Sequence, residues 1–253
     1  MNIQTIIVDL DRTLLRSDKT ISPYTADILN QCRQQGIKVM AATARPLRTT
    51  LPFTEQVTFD GLVVSNGARI VWDDQVHQYS MPLDSATWLL QALAAYTGLP
   101  VTLETGDVAY SNLPIQEYET VLSDDMVSVL HQEGAVKILA HLNEADPITQ
   151  VLDQLPEDLY HTVAHGTLLQ VMSRLATKWN GIQTLLSQWG LHAEDAIYFG
   201  DDQDDIEPIR TCGLGVAVAN AIPSVKEVAD AITGSNDEDG VASYLEQMIY
   251  STF

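Results

Sequence analysis

The chain has 253 residues, enough for one large domain or two smaller ones. It is 45% hydrophobic and 19% charged, the balance of an ordinary globular protein, and no apolar stretch is long enough to span a bilayer. Its 13 basic and 34 acidic residues leave a formal charge of −21, a field that opposes non-specific binding to nucleic acid and to anionic membranes.

Ile6-Ile7-Val8 reads as a short buried strand, and Asp9 and Asp11 stand directly behind it. Ser22-Pro23 is an N-cap and N1 pair. Ala26, Ile28, Leu29 and Cys32 then recur at near-helical spacing, and Gly36 closes that helix. Ile37–Ala42 predicts a second strand ending at Thr43. Gly61–Val64 predicts a third, ending at Ser65-Asn66-Gly67-Ala68. From about Leu83 to Arg174 helices mix with short strands. Trp88, Leu89, Ala92, Leu93 and Tyr96 mark one helix, and Ala135–Ala140 and Leu168–Met172 read as strands. The first pattern then returns: a Trp179–Trp189 helix before Gly190, an Ala196–Phe199 strand ending at Gly200-Asp201, and a Gly213–Val218 strand. A Lys226–Ala231 helix and a final helix with Val241, Tyr244, Leu245, Met248 and Ile249 on one stripe complete the chain.

Alternating strands and helices predict an α/β fold with a doubly wound parallel sheet. The different middle predicts a domain inserted into a discontinuous core, with the core at 1–82 and 175–253 and the insert at 83–174. Cys32 and Cys212 lack metal-type spacing and suit a reducing compartment. Met1-Asn2-Ile3-Gln4 lacks a basic leader, so a cytoplasmic location is expected.

Ligands of open α/β sheets collect at the carboxyl ends of the strands. Asp9, Asp11, Thr43, Lys178 and Asp201 all fall at or just after element ends, with Asp205 four residues beyond Asp201. This set suits phosphoryl transfer. One Asp can attack as a nucleophile and a second can trade a proton with the leaving group. Carboxylates can hold Mg²⁺, and Lys178 can act as a point charge on phosphate oxygens. The Thr43 hydroxyl and nearby backbone N–H groups can complete the cradle.

The stretches Asp9-Leu10-Asp11-Arg12-Thr13-Leu14-Leu15, Ala42-Thr43-Ala44-Arg45-Pro46, Lys178 and Gly200-Asp201-Asp202-Gln203-Asp204-Asp205 resemble the haloacid dehalogenase (HAD) superfamily. Within it they are similar to Cof-type phosphatases with the larger C2-type (IIB) inserted cap. The resemblance implies that Asp9 is the nucleophile and a Mg²⁺ ligand. It implies that Asp11 is the general acid/base and ligates Mg²⁺ through its backbone carbonyl. Thr43, Ala44, Lys178 and Asp204 match phosphate-binding positions. Asp201 matches the third metal ligand, with Asp205 beside it or behind it. The insert would be the cap that chooses the substrate.

Arg12 stands where Gly is common in that family, Ala44 replaces a Gly, Asp204 an Asn and Pro208 a Met. Asp204 bears most on chemistry, because an ionised carboxylate cannot donate a hydrogen bond as Asn can. Ala44 matters only if its backbone needs φ > 0, and Pro208 suits a helix's first turn or else shortens one.

Other readings are plainer. Asp201–Asp205 lacks the Gly and Glu of an EF-hand loop, and Asp202 reads as solvated. Gly213 and Gly215 mark a turn, not a dinucleotide loop. Ser235–Gly240 reads as a solvated turn and helix cap. His161 and His165 have a metal-like helical spacing but lack the rest of a zinc motif. The tryptophans read as packing residues, and Glu104, Tyr110 and Tyr118 as surface or packing residues.

The expected function is Mg²⁺-dependent hydrolysis of a small phosphomonoester, foremost a sugar phosphate, through an aspartyl-phosphate. The expected partner is a small phosphorylated metabolite, with neither nucleic acid nor membrane. A phosphomutase on the same core and a phosphate-binding regulatory protein with weak turnover are the alternatives. Nothing in the sequence sets the oligomeric state.

Overall fold

In the computed structural model, Thr5–Val8 forms strand β1 and all four residues are buried, as in a parallel strand covered on both faces. The structure describes residues 3–143, 148–164 and 166–251, with side chains through Met248. His165 and the side chain of Ile249 therefore lie outside the described residues.

Helix α1 (Pro23–Gln34) begins as predicted: the Ser22 hydroxyl accepts the Thr25 N–H at 3.0 Å and Pro23 sets φ at the first position. Its buried stripe is Thr25, Ile28, Leu29 and Cys32. The stripe starts at Thr25 rather than Ala26 because the Thr25 hydroxyl donates inward to Asp239 at 3.1 Å. Strand β2 (Lys38–Ala42), helix α2 (Leu47–Thr54) and strand β3 (Gly61–Val64) follow. Helix α2 escapes sequence reading because Pro52 lies inside it. Strands β4 (Arg69–Trp72) and β5 (Gln75–Gln78) extend the sheet edge.

The middle of the chain contains α3 (Leu83–Ala94), β6 (Val101–Glu104), β7 (Ala109–Ser111), β8 (Val121–Leu122), α4 (Met126–Glu133), β9 (Lys137–His141), α5 (Thr149–Leu152), β10 (Leu159–Ala164) and β11 (Leu168–Ser173). Its strands form a sheet in the order β10-β11-β9-β6-β7-β8. Leu89 and Leu93 of α3 share a core with Leu103, Ile138 and Leu169. His161 is exposed on a strand, so the helical spacing that pairs it with His165 does not apply. Glu104 is buried beside Lys137 in the strand register, and Tyr118 joins Thr102 and His141 through its hydroxyl.

The chain then forms α6 (Lys178–Trp189), β12 (Ala196–Gly200), α7 (Ile206–Thr211), β13 (Leu214–Ala217), α8 (Pro223–Lys226), β14 (Ala231–Ile232) and α9 (Gly240–Ser251). The predicted Lys226–Ala231 helix is corrected. The helical turn starts at Pro223 and ends at Lys226, while Ala231 opens a strand. Asp230 causes the switch: its carboxylate and its N–H both bond Gly215, at 2.8 Å each, and draw the chain alongside β13. Pro208 sits in the first turn of α7.

The Ser235–Gly240 run is more than a solvated turn. Asp237 accepts from Ser17, Asp239 pairs with Arg16, and the buried Asn236 donates to the Leu15 carbonyl at 2.9 Å. The acidic side chains clamp the loop that follows Asp11.

The large sheet runs β14-β13-β12-β1-β2-β3-β4-β5, parallel from β14 to β3 and antiparallel at β3–β4. The chain divides into two compact units, residues 1–77 with 177–253, and residues 78–176. No helix among the described residues is long and apolar enough to cross a membrane.

Candidate active site

Strand order reverses at β1. The chain goes outward to β2 and β3 on one side and later to β12 and β13 on the other. Val8 pairs with Phe199 of β12 and with Ala41 of β2. That register brings Asp9, Asp201 and Thr43 to one edge of the sheet, at its switch point.

The centre of the site is a buried ion cluster. Lys178 Nζ donates to Asp9 Oδ1 and to Asp205 Oδ1, both at 2.7 Å. Lys178 opens α6, whose N-cap Thr177 accepts the Asn180 N–H at 3.1 Å. Gly67 fixes that helix end against the β3 loop: its φ is +88°, and a Cβ there would stand 1.9 Å from the Thr177 carbonyl oxygen. Gly200 has a matching role, since a Cβ on it would lie 2.5 Å from the Asp205 carboxyl carbon.

Asp205 accepts four donors. Lys178 and the Tyr198 hydroxyl (2.6 Å) reach Oδ1, and the N–H groups of Asp201 (2.8 Å) and Asp202 (3.0 Å) reach Oδ2. A carboxylate has about four acceptor positions, so these are filled. Asp201 is different. Thr13 donates to its Oδ1 at 3.2 Å, while its buried Oδ2 has no hydrogen-bond partner among the described residues.

The carboxylate oxygens of Asp9, Asp201 and Asp205 lie within 4.8 Å of one another, all buried. Burial, opposed by Lys178 and reinforced by Asp205 and Asp201, raises the Asp9 carboxyl well above the usual range. The Asp201 carboxyl is pushed up to about 6, by burial first and then by Asp205, against the pull of Arg12. Burial alone would lower the Lys178 ammonium, but Asp205, Asp9 and Asp204 hold it above the ordinary lysine value. With Asp205 filled, the oxygens left to offer are those of Asp9 and the orphaned Asp201 Oδ2, an all-oxygen set in a buried acidic place that fits a hard divalent cation.

Asp11 faces other cations. Arg45 donates to both of its oxygens, at 2.5 and 2.7 Å, and Lys19 donates to Oδ1 at 2.8 Å. Burial raises its pKa, but the hydrogen bonds and charges of Arg45 and Lys19 outweigh this and hold it below the usual value. Thr43 is buried, and its hydroxyl accepts the Arg45 N–H at 3.2 Å.

A family model described as haloacid dehalogenase-like hydrolase matches residues 6–245. The chain belongs to the haloacid dehalogenase-like hydrolases. It is 29% identical, over 96% of its own length and 96% of the relative's, to the 5-amino-6-(5-phospho-D-ribitylamino)uracil phosphatase YitU of Bacillus subtilis. A haloacid dehalogenase-like hydrolase from Bacteroides thetaiotaomicron has the same fold, with a TM-score of 0.87 at 24% identity over 97% of this chain and 99% of that one. So does BT4131, a HAD subclass IIB sugar phosphatase, with a TM-score of 0.83 at 21% identity over 97% and 98% of the two chains. Family membership makes this chain a hydrolase, and YitU, which it matches over nearly the whole of both chains, is named a phosphatase.

Against the HAD-like pattern, the departures resolve locally. Ala44 is exposed and keeps a negative φ, so a glycine is not required there. Asp204 is exposed and accepts the Asn66 amide at 2.6 Å, which gives one of its oxygens a partner but leaves Asp204 without a donor of its own. Asp202 is exposed as expected and also caps the turn that carries Asp205. Arg12 has φ +61° and reaches Asp201. Sequence reading assigns no role to Thr13, Arg45, Asn66 or Tyr198: Thr13 and Tyr198 hold Asp201 and Asp205 of the cluster, while Arg45 holds Asp11 and Asn66 holds Asp204 beside it. One signal was present for Tyr198: a lone hydroxyl in an otherwise apolar strand, three residues before Asp201.

Proposed function

We propose that this protein is a Mg²⁺-dependent phosphatase that hydrolyses small phosphomonoesters through an aspartyl-phosphate on Asp9. The observation that carries the reading is the Lys178–Asp9 contact of 2.7 Å inside a buried carboxylate cluster at the sheet's switch point. Lys178 holds the nucleophile in place and offers positive charge to phosphate oxygens. Asp9 attacks phosphorus, and the bond from phosphorus to the ester oxygen breaks. Asp11 gives a proton to the departing oxygen. It then takes one from the water that attacks the aspartyl-phosphate, and the bond from phosphorus to Asp9 breaks. Mg²⁺ held by Asp9, Asp201 and the Asp11 carbonyl would neutralise the charge between carboxylate and phosphate.

Asp205 is assigned to positioning, because its acceptor sites are used by Lys178, Tyr198 and two backbone N–H groups. Asp11 acts as the acid only after it leaves Arg45 and Lys19 and takes up a proton from solvent, which the loss of those two cations favours; an incoming phosphate dianion competes for both. Thr43 and the Ala44 N–H complete the phosphate cradle, with Asp204 at its rim. The insert is assigned the choice of substrate. Sugar phosphates are the leading class, supported by the ribityl phosphate ester and the sugar phosphates named for two of the relatives.

The test is phosphate release from a panel of phosphomonoesters, with and without Mg²⁺, by the wild type and Asp9→Asn. Metal-dependent release that is lost in the variant is expected. An isomeric sugar phosphate in place of free phosphate would replace hydrolysis with a mutase. No release from any compound would leave a binding protein.

A further inference from the structure

Arg12 has features that the reaction scheme leaves unused. Its φ of +61° is a conformation costly for any residue with a Cβ. Asn220 pins it there: Asn220 Nδ2 donates to the Arg12 carbonyl at 2.7 Å, and Arg12 Nη2 donates back to the Asn220 carbonyl at 3.4 Å. The side chain then extends over the cluster with Nε 3.6 Å from Asp201 Oδ2. That oxygen is the buried one without a hydrogen-bond partner among the described residues, so Arg12 pairs with it by charge alone.

The two cations at the cluster differ in freedom. Lys178 is 5% exposed and is bonded to two carboxylates. The Arg12 side chain is 58% exposed and holds Asp201 loosely. One is fixed in place, while the other can swing away into solvent.

We propose that Arg12 sets the strength of divalent-cation binding at this site. Its guanidinium covers the Asp201 oxygen that the cation needs, so the cation must displace it. The carboxylates therefore bind metal more weakly, and exchange it faster, than they would without Arg12. This rests on the metal-dependent reading above. The cost is electrostatic: a guanidinium near a dication repels it, and a guanidinium on the ligand oxygen competes for it.

The test is direct Mn²⁺ binding, read by electron paramagnetic resonance, for the wild type, Arg12→Gly, Arg12→Lys and Asp201→Asn. Gly suits φ +61°, so Arg12→Gly is expected to fold, which melting temperature checks. At low ionic strength Arg12→Gly should bind about tenfold more tightly than wild type, and added NaCl should narrow the gap. Arg12→Lys keeps the charge and should stay near wild type, while Asp201→Asn should lose the site. Equal or weaker binding by Arg12→Gly, with binding still lost in Asp201→Asn, overturns the role of Arg12 and leaves the metal reading standing. A lysine variant that binds as tightly as the glycine variant removes charge as the cause. Absence of saturable binding in every protein overturns both readings.

Discussion

Lys178 is the cation around which the site is built, because two buried carboxylates share it. Lys178→Met keeps the length and removes the charge. Breaking a buried ion pair from one side typically costs about 3–5 kcal/mol, so the variant should unfold at clearly lower urea than wild type at neutral pH. Phosphate release should fall at least 10²-fold to 10³-fold, roughly the loss seen when one charge-stabilising donor is removed. A variant with wild-type turnover would remove Lys178 from the chemistry. The legibility of this cluster differs residue by residue. Asp9 and Asp201 were readable because a carboxylate behind a buried strand is chemically expensive and therefore informative. Tyr198 was not, because a tyrosine inside Ile-Tyr-Phe looks like packing until its hydroxyl is seen on Asp205. Asn66 was not, because Ser-Asn-Gly reads as turn punctuation. Its backbone does take a turn conformation, with φ +56°, while its amide reaches Asp204.

Among elements, the α1–β2 join depends on Asp60, which lies just before β3. Arg33 at the end of α1 grips both Asp60 oxygens, at 2.9 and 3.0 Å, and the Val39 N–H adds a third bond at 2.9 Å. Burial raises the Asp60 carboxyl, but these bonds and the charges of Arg33 and Lys38 hold it below its usual value. A lowered folded pKa contributes stability that is fully present above the unfolded value of about 3.9 and is lost as pH falls through the folded value. Asp60→Asn should therefore lose about 1–3 kcal/mol at pH 7, and the gap to wild type should close in acid, below about pH 4. Chemical denaturation at both pH values checks this, and a gap independent of pH would rule out the ion pair as its source. Elements with a strong internal signal, such as α1 with its Ser-Pro start and α6 with its Gly190 stop, were legible. The short helix at Pro223 was not, because a bond from Asp230 to Gly215, distant in sequence, decides where it ends.

For the whole molecule, the formal charge of −21 opposes the compact state through self-repulsion, and part of that charge is concentrated among Asp9, Asp201 and Asp205. Two effects of added salt should therefore separate. NaCl screens the general field and should raise the melting temperature gradually with ionic strength. Mg²⁺ at matched ionic strength should raise it further and saturably, because a ligand that binds only the folded state stabilises by mass action. The additional rise should vanish in Asp201→Asn, whose remaining charge still responds to NaCl. If NaCl and MgCl₂ shift the wild type equally at matched ionic strength, the cluster holds no specific cation. If the Mg²⁺ increment survives in Asp201→Asn, the cation binds elsewhere on the acidic surface.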